Sequence, residues 1–392
     1  MTTMAIDNKD KKVLNVPHLR FPEFSGEWKK CKLGDLCNVL MCKRILVSQT
    51  NTEDGVPFYK IGTIGSTPDA YISKELFDDY KVKYNYPRKG EVMITCAGTV
   101  GKCVVYDGED AYFQDSNIVW IDNPTQYISN GFLFHLLSKV DWRKLNSTTI
   151  IRIYNDDLRN LKMSYPRKEE QQKISHLLSL LDERIATQNK IIEDLKKLKS
   201  AIIDQLYSAI KGKGYSYRQI FEIVNERNKQ LEYSNILSAS QEKGMVNRED
   251  LNLDIQFERS NINTYKVVRK GDYVIHLRSF QGGYAFSDKI GVCSPAYTIL
   301  RPNDLLEFRY LSYYFTSQKF IKSLIIVTYG IRDGRSINVE EWLDMKTTIP
   351  QKEQQRHIVD TIRNIEKKIE NEELYASYLS KQKQYLLRQL FI

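Results

Sequence analysis

One segment of this chain occurs twice. Residues 165–208 reappear in diverged form as residues 349–392, shifted by 184 positions without a gap, and both copies carry a Pro-x-Lys-Glu-x-Gln start. A repeat of this length indicates a duplicated architecture. The sequence therefore predicts two half-molecules related by an approximate two-fold rotation, and any function must account for both halves.

Each copy has the pattern of a long helix with one apolar seam, because apolar residues recur at alternating steps of four and three. The seam residues are Ile174, Leu178, Leu181, Ile185, Ile192, Leu195, Ile202 and Leu206 in the first copy and Ile358, Ile362, Ile365, Ile369, Ala376, Leu379, Leu386 and Leu390 in the second. Proline is tolerated at a helix start, and Pro166 and Pro350 precede the two copies.

Each seam could be the buried face of an ordinary globular helix. A helix of about 40 residues, however, is roughly 60 Å long, and a second helix of the same length is its simplest partner. We therefore expect the two helices to pack antiparallel as a coiled-coil spacer.

Both seams are interrupted at the same two places, by Gln188 and Lys199 in the first copy and by Glu372 and Lys383 in the second. One antiparallel register places Lys199 opposite Glu372 and Gln188 opposite Lys383. We predict this register, because it converts both interruptions into opposed polar pairs.

The segments outside the repeat keep landmarks of a common origin. Residues 88–91 (RKGE) match 269–272 (RKGD), and each is followed by a strand-like run, a turn containing glycine, and another strand-like run. We expect an α+β protein with an N-terminal α/β domain over 1–164, a spacer helix over 165–210, a C-terminal α/β domain over 211–348, and a second spacer helix over 349–392.

A net charge of +9 favours an anionic partner, with nucleic acid first among the candidates. Arginine can make two hydrogen bonds to the edge of guanine, and Gln or Asn can do the same with adenine. Lysine more often neutralises the charge of a phosphate. Taken singly, these polar side chains could all be ordinary solvated surface. The candidate DNA-binding residues, chosen because they cluster in loops that correspond between the halves, are Lys43, Arg44, Lys60, Thr99, Lys102, Gln114, Asn117, Arg152 and Tyr154 in the first domain and Arg278, Gln281, Tyr329, Arg332, Arg335 and Asn338 in the second.

Signals for catalysis are weak. No phosphate-binding G-x-x-x-x-G-K-[ST] loop occurs, so ATP hydrolysis by this chain is not expected. Asp69, Asp79 and Lys81 loosely fit the carboxylate and lysine pattern of metal-dependent nucleases, but the residues between them do not have the pattern of strands. We predict no catalytic residue and no metal site.

The six cysteines, Cys31, Cys37, Cys42, Cys96, Cys103 and Cys293, form no C-x-x-C pair, and we expect reduced thiols. No run approaches the ~18 apolar residues of a membrane span, and the polar start lacks the apolar core of a secretory signal. We therefore expect a cytoplasmic protein that does not bind membranes.

The N-terminal segment NVPHLRFPEFSGEWKKCKLGDLC, the run PRKEEQQKISHLLSLLDERI and its second copy PQKEQQRHIVDTIRNIEKKI closely resemble the specificity (S) subunit of type I restriction-modification systems. This resemblance extends over essentially the whole chain. It implies two target recognition domains, held apart by two antiparallel helices, that each read one half of an asymmetric double-stranded DNA target.

The resemblance also implies partners. The helices would dock two methyltransferase (M) subunits, and restriction (R) subunits would join this core. Adenine-N6 methylation with S-adenosylmethionine and DNA cleavage with ATP and Mg²⁺ would then belong to the other chains, with no cofactor in this one. The alternatives are a self-contained DNA-modifying enzyme with an unrecognised site, and a coiled-coil adaptor that does not contact DNA.

Overall fold

The computed structural model describes residues 14–144, 152–240, 243–250, 259–276, 283–329 and 336–392. Contacts divide the chain into two compact units: unit 1 comprises Met1–Gln188 and Tyr375–Ile392, and unit 2 comprises Asn189–Leu374. Each unit therefore contains one of the expected α/β segments and parts of both repeated segments.

The described residues of unit 1 form ten strands and three short helices before the first long helix. The strands are β1 (Lys29–Lys32), β2 (Asn38–Leu40), β3 (Thr50–Asn51), β4 (Val56–Tyr59), β5 (Tyr71–Ile72), β6 (Val92–Thr95), β7 (Cys103–Val105), β8 (Tyr112–Phe113), β9 (Ile118–Asp122) and β10 (Lys162–Tyr165). The helices are α1 (Lys74–Lys83), α2 (Asn130–Lys139), α3 (Asn155–Arg159) and α4 (Lys168–Ser208), and α4 continues into unit 2. Serine side chains cap α1 and α2, as Ser73 accepts from the Leu76 amide and Ser129 from the Phe132 amide.

Unit 2 repeats this plan. Its strands are β11 (Lys213–Ser216), β12 (Phe221–Val224), β13 (Leu237–Ser240), β14 (Gly244–Asn247), β15 (Lys266–Val268), β16 (Tyr273–Ile275), β17 (Tyr284–Phe286), β18 (Gly291–Cys293), β19 (Thr298–Pro302), β20 (Thr328–Tyr329), β21 (Ser336–Ile337) and β22 (Lys346–Ile349). Its helices are α5 (Tyr217–Ile220), α6 (Tyr310–Tyr314), α7 (Gln318–Ser323), α8 (Val339–Asp344) and α9 (Lys352–Leu390), whose last residues belong to unit 1.

The central sheet of each unit has the same topology. The strand order is β2-β9-β6-β7 in unit 1 and β12-β19-β16-β17 in unit 2, antiparallel throughout. A two-stranded ribbon, β1 with β10 or β11 with β22, lies next to the start of each long helix in the chain. The duplication predicted from the helices therefore extends to the sheets, although little sequence similarity remains there.

Each central sheet lies between two hydrophobic cores, because successive side chains of a strand point to opposite faces of the sheet. In β6, Val92 and Ile94 belong to the core that contains the long-helix residues, whereas Met93 faces the other core. In β16, Tyr273 and Ile275 face the helix side and Val274 faces away from it.

The matched RKG turns have one conformation. Gly90 and Gly271 have φ values of 87° and 99°, a region that favours glycine. The Gly90 amide donates to the Tyr106 carbonyl at 2.7 Å, and the Gly271 amide donates to the Ser287 carbonyl at 2.8 Å. The match between residues 88–91 and 269–272 therefore identifies structurally equivalent positions in the two units.

A buried glutamine anchors the start of each long helix. Gln171 is fully buried; its Nε2 donates to the Tyr127 and Pro166 carbonyls at 2.9 Å, and its Oε1 accepts from the Ser129 amide at 2.7 Å. Its counterpart Gln355 makes the same three bonds, to Leu305, Pro350 and Glu307. Both helices start two residues after their proline, as the sequence predicts.

The predicted seam is confirmed by burial. None of its sixteen apolar residues is exposed, and even the interrupting Gln188 is only 4% exposed. In unit 1 the α4 residues Ile174 and Leu178 share a core with Leu387 and Leu390 of α9, and in unit 2 Ile203 of α4 shares a core with Ile362 of α9. Within each unit the two helix segments are therefore antiparallel.

The predicted polar pairs stay a prediction. In unit 2, Lys199 pairs with Glu366 at 3.3 Å, and Glu372 accepts an ion pair from Lys368 of its own helix. In unit 1, Lys383 pairs with Asp182, which is the equivalent contact after the 184-residue shift. Lys196 pairs with Glu373 at 2.6 Å, so long side chains bridge the two helices at more than one offset, and these ion pairs alone do not fix the register.

The end of each long helix packs into a globular core. In unit 2, Ile203 and Tyr207 of α4 are buried, and the Tyr207 hydroxyl donates to the Tyr310 carbonyl. In unit 1 the equivalent residues of α9, Leu387 and Phe391, are buried with Phe132, whose ring centroid lies 4.8 Å from that of Phe391. The C-terminus of the chain is thus an integral part of the N-terminal unit.

Candidate nucleic-acid interface

The loop over residues 60–65, after β4, is the centre of the candidate surface in unit 1. It is a tight turn in which the Thr63 and Ile64 amides both donate to the Lys60 carbonyl at 3.0 Å. Three predicted residues hold it: Thr99 Oγ1 donates to the Ile61 carbonyl at 3.0 Å, Lys102 Nζ donates to the Ile64 carbonyl at 2.5 Å, and Gln114 Oε1 accepts from the Ile61 amide at 3.4 Å. The structure therefore brings Lys60, Thr99, Lys102 and Gln114 together.

These contacts divide the predicted residues by role. The ammonium of Lys102 is bound to the main chain, and that of Lys60 pairs with Asp69 at 2.9 Å. Both lysines therefore shape the loop as well as adding positive charge. Thr99 remains exposed beside them, at the tip of the turn that joins β6 to β7.

A second cluster forms around Arg152. Its Nη1 donates to Asn117 Oδ1 at 3.1 Å, its Nη2 donates to the Ser116 carbonyl at 3.2 Å, and its guanidinium carbon lies 5.9 Å from the centroid of the Tyr154 ring. Ser116 has a positive φ of 49°, which turns its carbonyl toward the guanidinium. Asn117, Arg152 and the 61% exposed Tyr154 thus form one polar patch.

Lys43 and Arg44 lie on the adjoining loop, after β2. Lys43 Nζ lies 5.3 Å from the centroid of the Tyr84 ring, a cation–π distance. Arg44 makes a loose 4.0 Å contact with Asp115, and its side chain is 73% exposed. Asp115 is the sequence neighbour of both Gln114 and Ser116, so its contact with Arg44 links this loop to the two clusters.

In unit 2 most of the predicted residues lie outside the described part of the chain, namely Arg278, Gln281, Arg332 and Arg335. Tyr329 is the last residue of β20 and is paired through its backbone with Ser336 of β21. Asn338 caps α8, where its Oδ1 accepts from the Glu340 and Glu341 amides. Asn338 therefore has a structural role that its sequence context did not indicate.

Sequence reasoning did not assign the acidic partners of these cations. Asp69 pairs with Lys60, and Asp115 makes the loose contact with Arg44. In unit 2 the buried Asp272 accepts hydrogen bonds from Arg301 Nε and Nη2, each at 2.9 Å. Asp272 follows the matched glycine, so the RKGD landmark was the available signal for it.

The weak nuclease pattern does not form a site. Asp69 pairs with Lys60, whereas Lys81 pairs with Asp110 at 2.9 Å. Asp79 lies on α1 and pairs with Lys83, so this part of the segment is a helix and not the strand that a nuclease site requires. Across the described residues, no group of three or more His, Cys, Asp or Glu side chains is placed to hold a metal ion.

All six cysteines are free thiols. Burial raises the pKa of Cys31 to about 11 and that of Cys37, Cys42, Cys96, Cys103 and Cys293 to about 12. A thiol with such a pKa stays protonated near neutral pH and is a poor nucleophile. In the described residues, no helix is long and apolar enough to cross a membrane.

Comparison with known proteins shows which family this chain resembles. Residues 25–197 match the family model of the type I restriction modification DNA specificity domain. A type I restriction enzyme specificity subunit of Haemophilus influenzae is 46% identical over 185 residues, which cover 47% of this chain and 45% of that protein. The type I restriction enzyme MjaVIII specificity subunit of Methanocaldococcus jannaschii is 23% identical over 97% of this chain and 95% of its own length.

Solved structures share the fold over nearly the whole chain. The S subunit of the type I restriction-modification system of M. genitalium aligns over 96% of this chain and 99% of its own, at 15% identity and a TM-score of 0.54. A chain from a study of complex assembly in the type I system aligns over 92% of this chain and 96% of its own, at 16% identity and a TM-score of 0.56. The α+β class with two α/β units and two long helices is therefore confirmed, and these comparisons give no support to a self-contained enzyme.

Proposed function

Because the chain belongs to the specificity subunits of type I restriction-modification systems, we propose that it selects the DNA target of such a complex. Each unit contacts one half of a two-part site in double-stranded DNA. The two repeated helices set the number of unread base pairs between the halves. The chain itself is not the catalyst.

The observation that carries this proposal is the duplicated topology with divergent loops. The same sheet order, glycine turn and buried glutamine occur in both units. On the side of each sheet away from the long helices the strands pair differently, as β3-β5-β4-β8 in unit 1 and as β13-β14 and β15-β18 in unit 2, and the loop sequences differ as well. A shared scaffold with different loops is what two readers of different half-sites require. The net charge of +9 supports binding to the phosphate backbone.

Within unit 1 we assign different roles to the candidate residues. Arg152 is held in place by Asn117 and the Ser116 carbonyl. A guanidinium with a fixed orientation is suited to making two parallel hydrogen bonds to the edge of one base. Lys43 and Arg44 are exposed and have only loose contacts, and this suits electrostatic contacts to phosphate. Arg152 would therefore specify sequence, and Lys43 would add affinity.

The two roles predict two different mutant phenotypes. Arg152→Ala should cost about 1–3 kcal/mol on the cognate site and relax selectivity at one base pair of one half-site. Lys43→Ala should weaken binding to all duplexes alike and reduce the slope of log affinity against log salt by about 1. Titration of duplexes with single base-pair changes at several salt concentrations measures both. Equal effects of the two variants on every duplex would contradict this assignment.

The helices carry the surface that we propose for methyltransferase docking. Opposite the buried seam, unit 1 exposes Leu180, Tyr378 and Tyr385, and unit 2 exposes Ile191, Leu198 and Leu374. Exposed apolar residues in this number on a helix pair favour protein partners. We propose two methyltransferase subunits there, with restriction subunits joining them. S-adenosylmethionine, ATP and Mg²⁺ would be bound by those chains, and the complex would act on DNA in the cytoplasm.

The test is to express the chain with its cognate methyltransferase subunit and to map methylated adenines across a genome. The proposal predicts one motif with two different half-sequences and a constant gap. A continuous motif, or methylation or cleavage by the purified chain alone, would refute it. Duplex binding that is absent even with the methyltransferase present would instead favour the adaptor without DNA contact.

A further inference from the structure

In unit 2, one carboxylate of the long helix α9 joins three helices. Glu366 accepts from Lys199 of α4 at 3.3 Å and from the Tyr313 hydroxyl of α6 at 2.7 Å. Tyr313 is buried, and this bond gives its hydroxyl a partner. The contact between the long helices and α6 is therefore satisfied in both charge and hydrogen bonding.

Unit 1 has the equivalent ion pair with a shorter acid. The 184-residue shift makes Asp182 the counterpart of Glu366, and Lys383 that of Lys199. Asp182 and Lys383 form an ion pair. Because an aspartate side chain is one methylene shorter than a glutamate, this carboxylate reaches less far from its own helix.

The third position of the cluster holds a histidine in unit 1. The buried glutamine at each helix start accepts from an equivalent amide, that of Ser129 in unit 1 and that of Glu307 in unit 2, which are 178 positions apart. The same shift makes His135 of α2 the counterpart of Tyr313 of α6. An imidazole therefore replaces a phenol at the same place in the fold.

His135 is buried and makes no hydrogen bond. Its side chain is 1% exposed, neither ring nitrogen has a hydrogen-bond partner, and Nδ1 lies 4.0 Å from the nearest carboxylate oxygen of Asp182. The charged or polar groups that face the ring are Asp182 and the Ser175 backbone from α4, and Lys383 from α9. Within the described residues no second carboxylate faces the ring, and Asp182 already pairs with Lys383.

A proton on this ring is unfavourable in the folded unit. Burial is the main cause of a pKa that falls from 6.5 to about 4 at His135; Asp182 and the Ser175 backbone oppose the shift only in part, and Lys383 adds to it. The unfolded chain then binds the proton more tightly than the folded chain. Unit 1 therefore loses stability as the pH falls from about 6.5 to about 4, and has no such loss above that range. Burial raises the pKa of Tyr313, so its hydroxyl stays neutral throughout.

We propose that His135 is an acid-sensitive switch in the contact between α2 and the long helices of unit 1. In the closed state the ring is neutral and buried. In the protonated state α2 moves away and exposes the imidazolium to water. Unit 2 has Tyr313 at this position and keeps its contact under the same conditions, so acid opens unit 1 before unit 2, whatever either unit binds.

Hydrogen exchange of the full chain at pH 7.5 and pH 5.0, corrected for the intrinsic rates, follows each unit separately. Between these two values, protection of β6 and β9 in unit 1 should fall by roughly thirtyfold more than that of β16 and β19 in unit 2, the factor expected for one such histidine. The variant His135→Tyr/Asp182→Glu copies the unit 2 cluster into unit 1 and should abolish this difference. The reverse variant Tyr313→His/Glu366→Asp should make unit 2 acid-sensitive as well.

Two single variants keep the test decisive if a double variant is unstable. His135→Phe keeps an aromatic ring and cannot take up a proton, so it should also abolish the difference. His176→Gln removes an exposed histidine of α4 and should leave the difference as it is. An equal loss of protection in both units of the unaltered chain, or the full loss in unit 1 of His135→Phe, would overturn the proposal.

Discussion

A chain that ends at Leu386 should lose the folded state of unit 1. The six residues removed include Leu387, Leu390 and Phe391, which are 9%, 2% and 3% exposed and lie in the core formed with Phe132 and Ile174. Each large-to-small change at a buried leucine or phenylalanine costs about 2–5 kcal/mol. The combined loss, roughly 6–12 kcal/mol, matches the whole stability of a typical domain.

Hydrogen exchange measures this loss locally. The amides of β6 and β9 in unit 1 should become unprotected in the truncated chain, while those of β16 and β19 in unit 2 should keep their protection. Tyr385→Ala, an exposed site on the same helix, is the matched control and should change little. Full protection of β6 in the truncated chain would show that the C-terminal residues do not belong to that core.

Lengthening both helices by one heptad should move the two half-sites apart and abolish methylation at the original sites. Seven residues inserted between Gln188 and Asn189, and seven between Leu374 and Tyr375, keep the apolar seam in phase. They add about 10.5 Å of helix, which corresponds to roughly three base pairs at ~3.4 Å each. The half-sequences should stay as they were, because neither unit is altered.

Methylation mapping with the methyltransferase subunit detects the new gap directly. Insertion of five residues at the same two places is the matched control, because it breaks the seam phase and should give little methylation at any spacing. An unchanged gap in the seven-residue variant, or new half-sequences with the old gap, would show that the helices do not set the distance between the half-sites.

The sequence predicts the helices well because their physics is local and periodic. Pro166 and Pro350 indicate the helix starts, and the 4-3 spacing gives the seam, which burial confirms from Ile174 to Leu390. The glycine in each RKG turn aligns the halves, because only its positive φ allows that turn.

The pairing of Lys199 and Lys383 was not predictable in the same way. A heptad seam does not determine which of several acidic side chains a long lysine reaches on the facing helix, so the apolar spacing alone does not give these ion pairs. Glu366 also accepts from the Tyr313 hydroxyl at 2.7 Å, a contact from α6 that no helix pattern contains.

The candidate surface was predictable in composition and not in geometry. Residue types identified Arg152 and Asn117, but their mutual contact depends on the turn at Ser116. Lys102 has the same residue type as Lys43, yet its ammonium is bound to the Ile64 carbonyl. Such differences arise from loop conformation, which long-range contacts determine and local sequence does not.

Exchange of residues 211–348 for the corresponding domain of another specificity subunit tests the central claim most directly, with methylated adenines mapped before and after. The account predicts that one half-sequence changes while the other half-sequence and the gap are retained. A change in both half-sequences, or in neither, would contradict the division of the target between two independent readers.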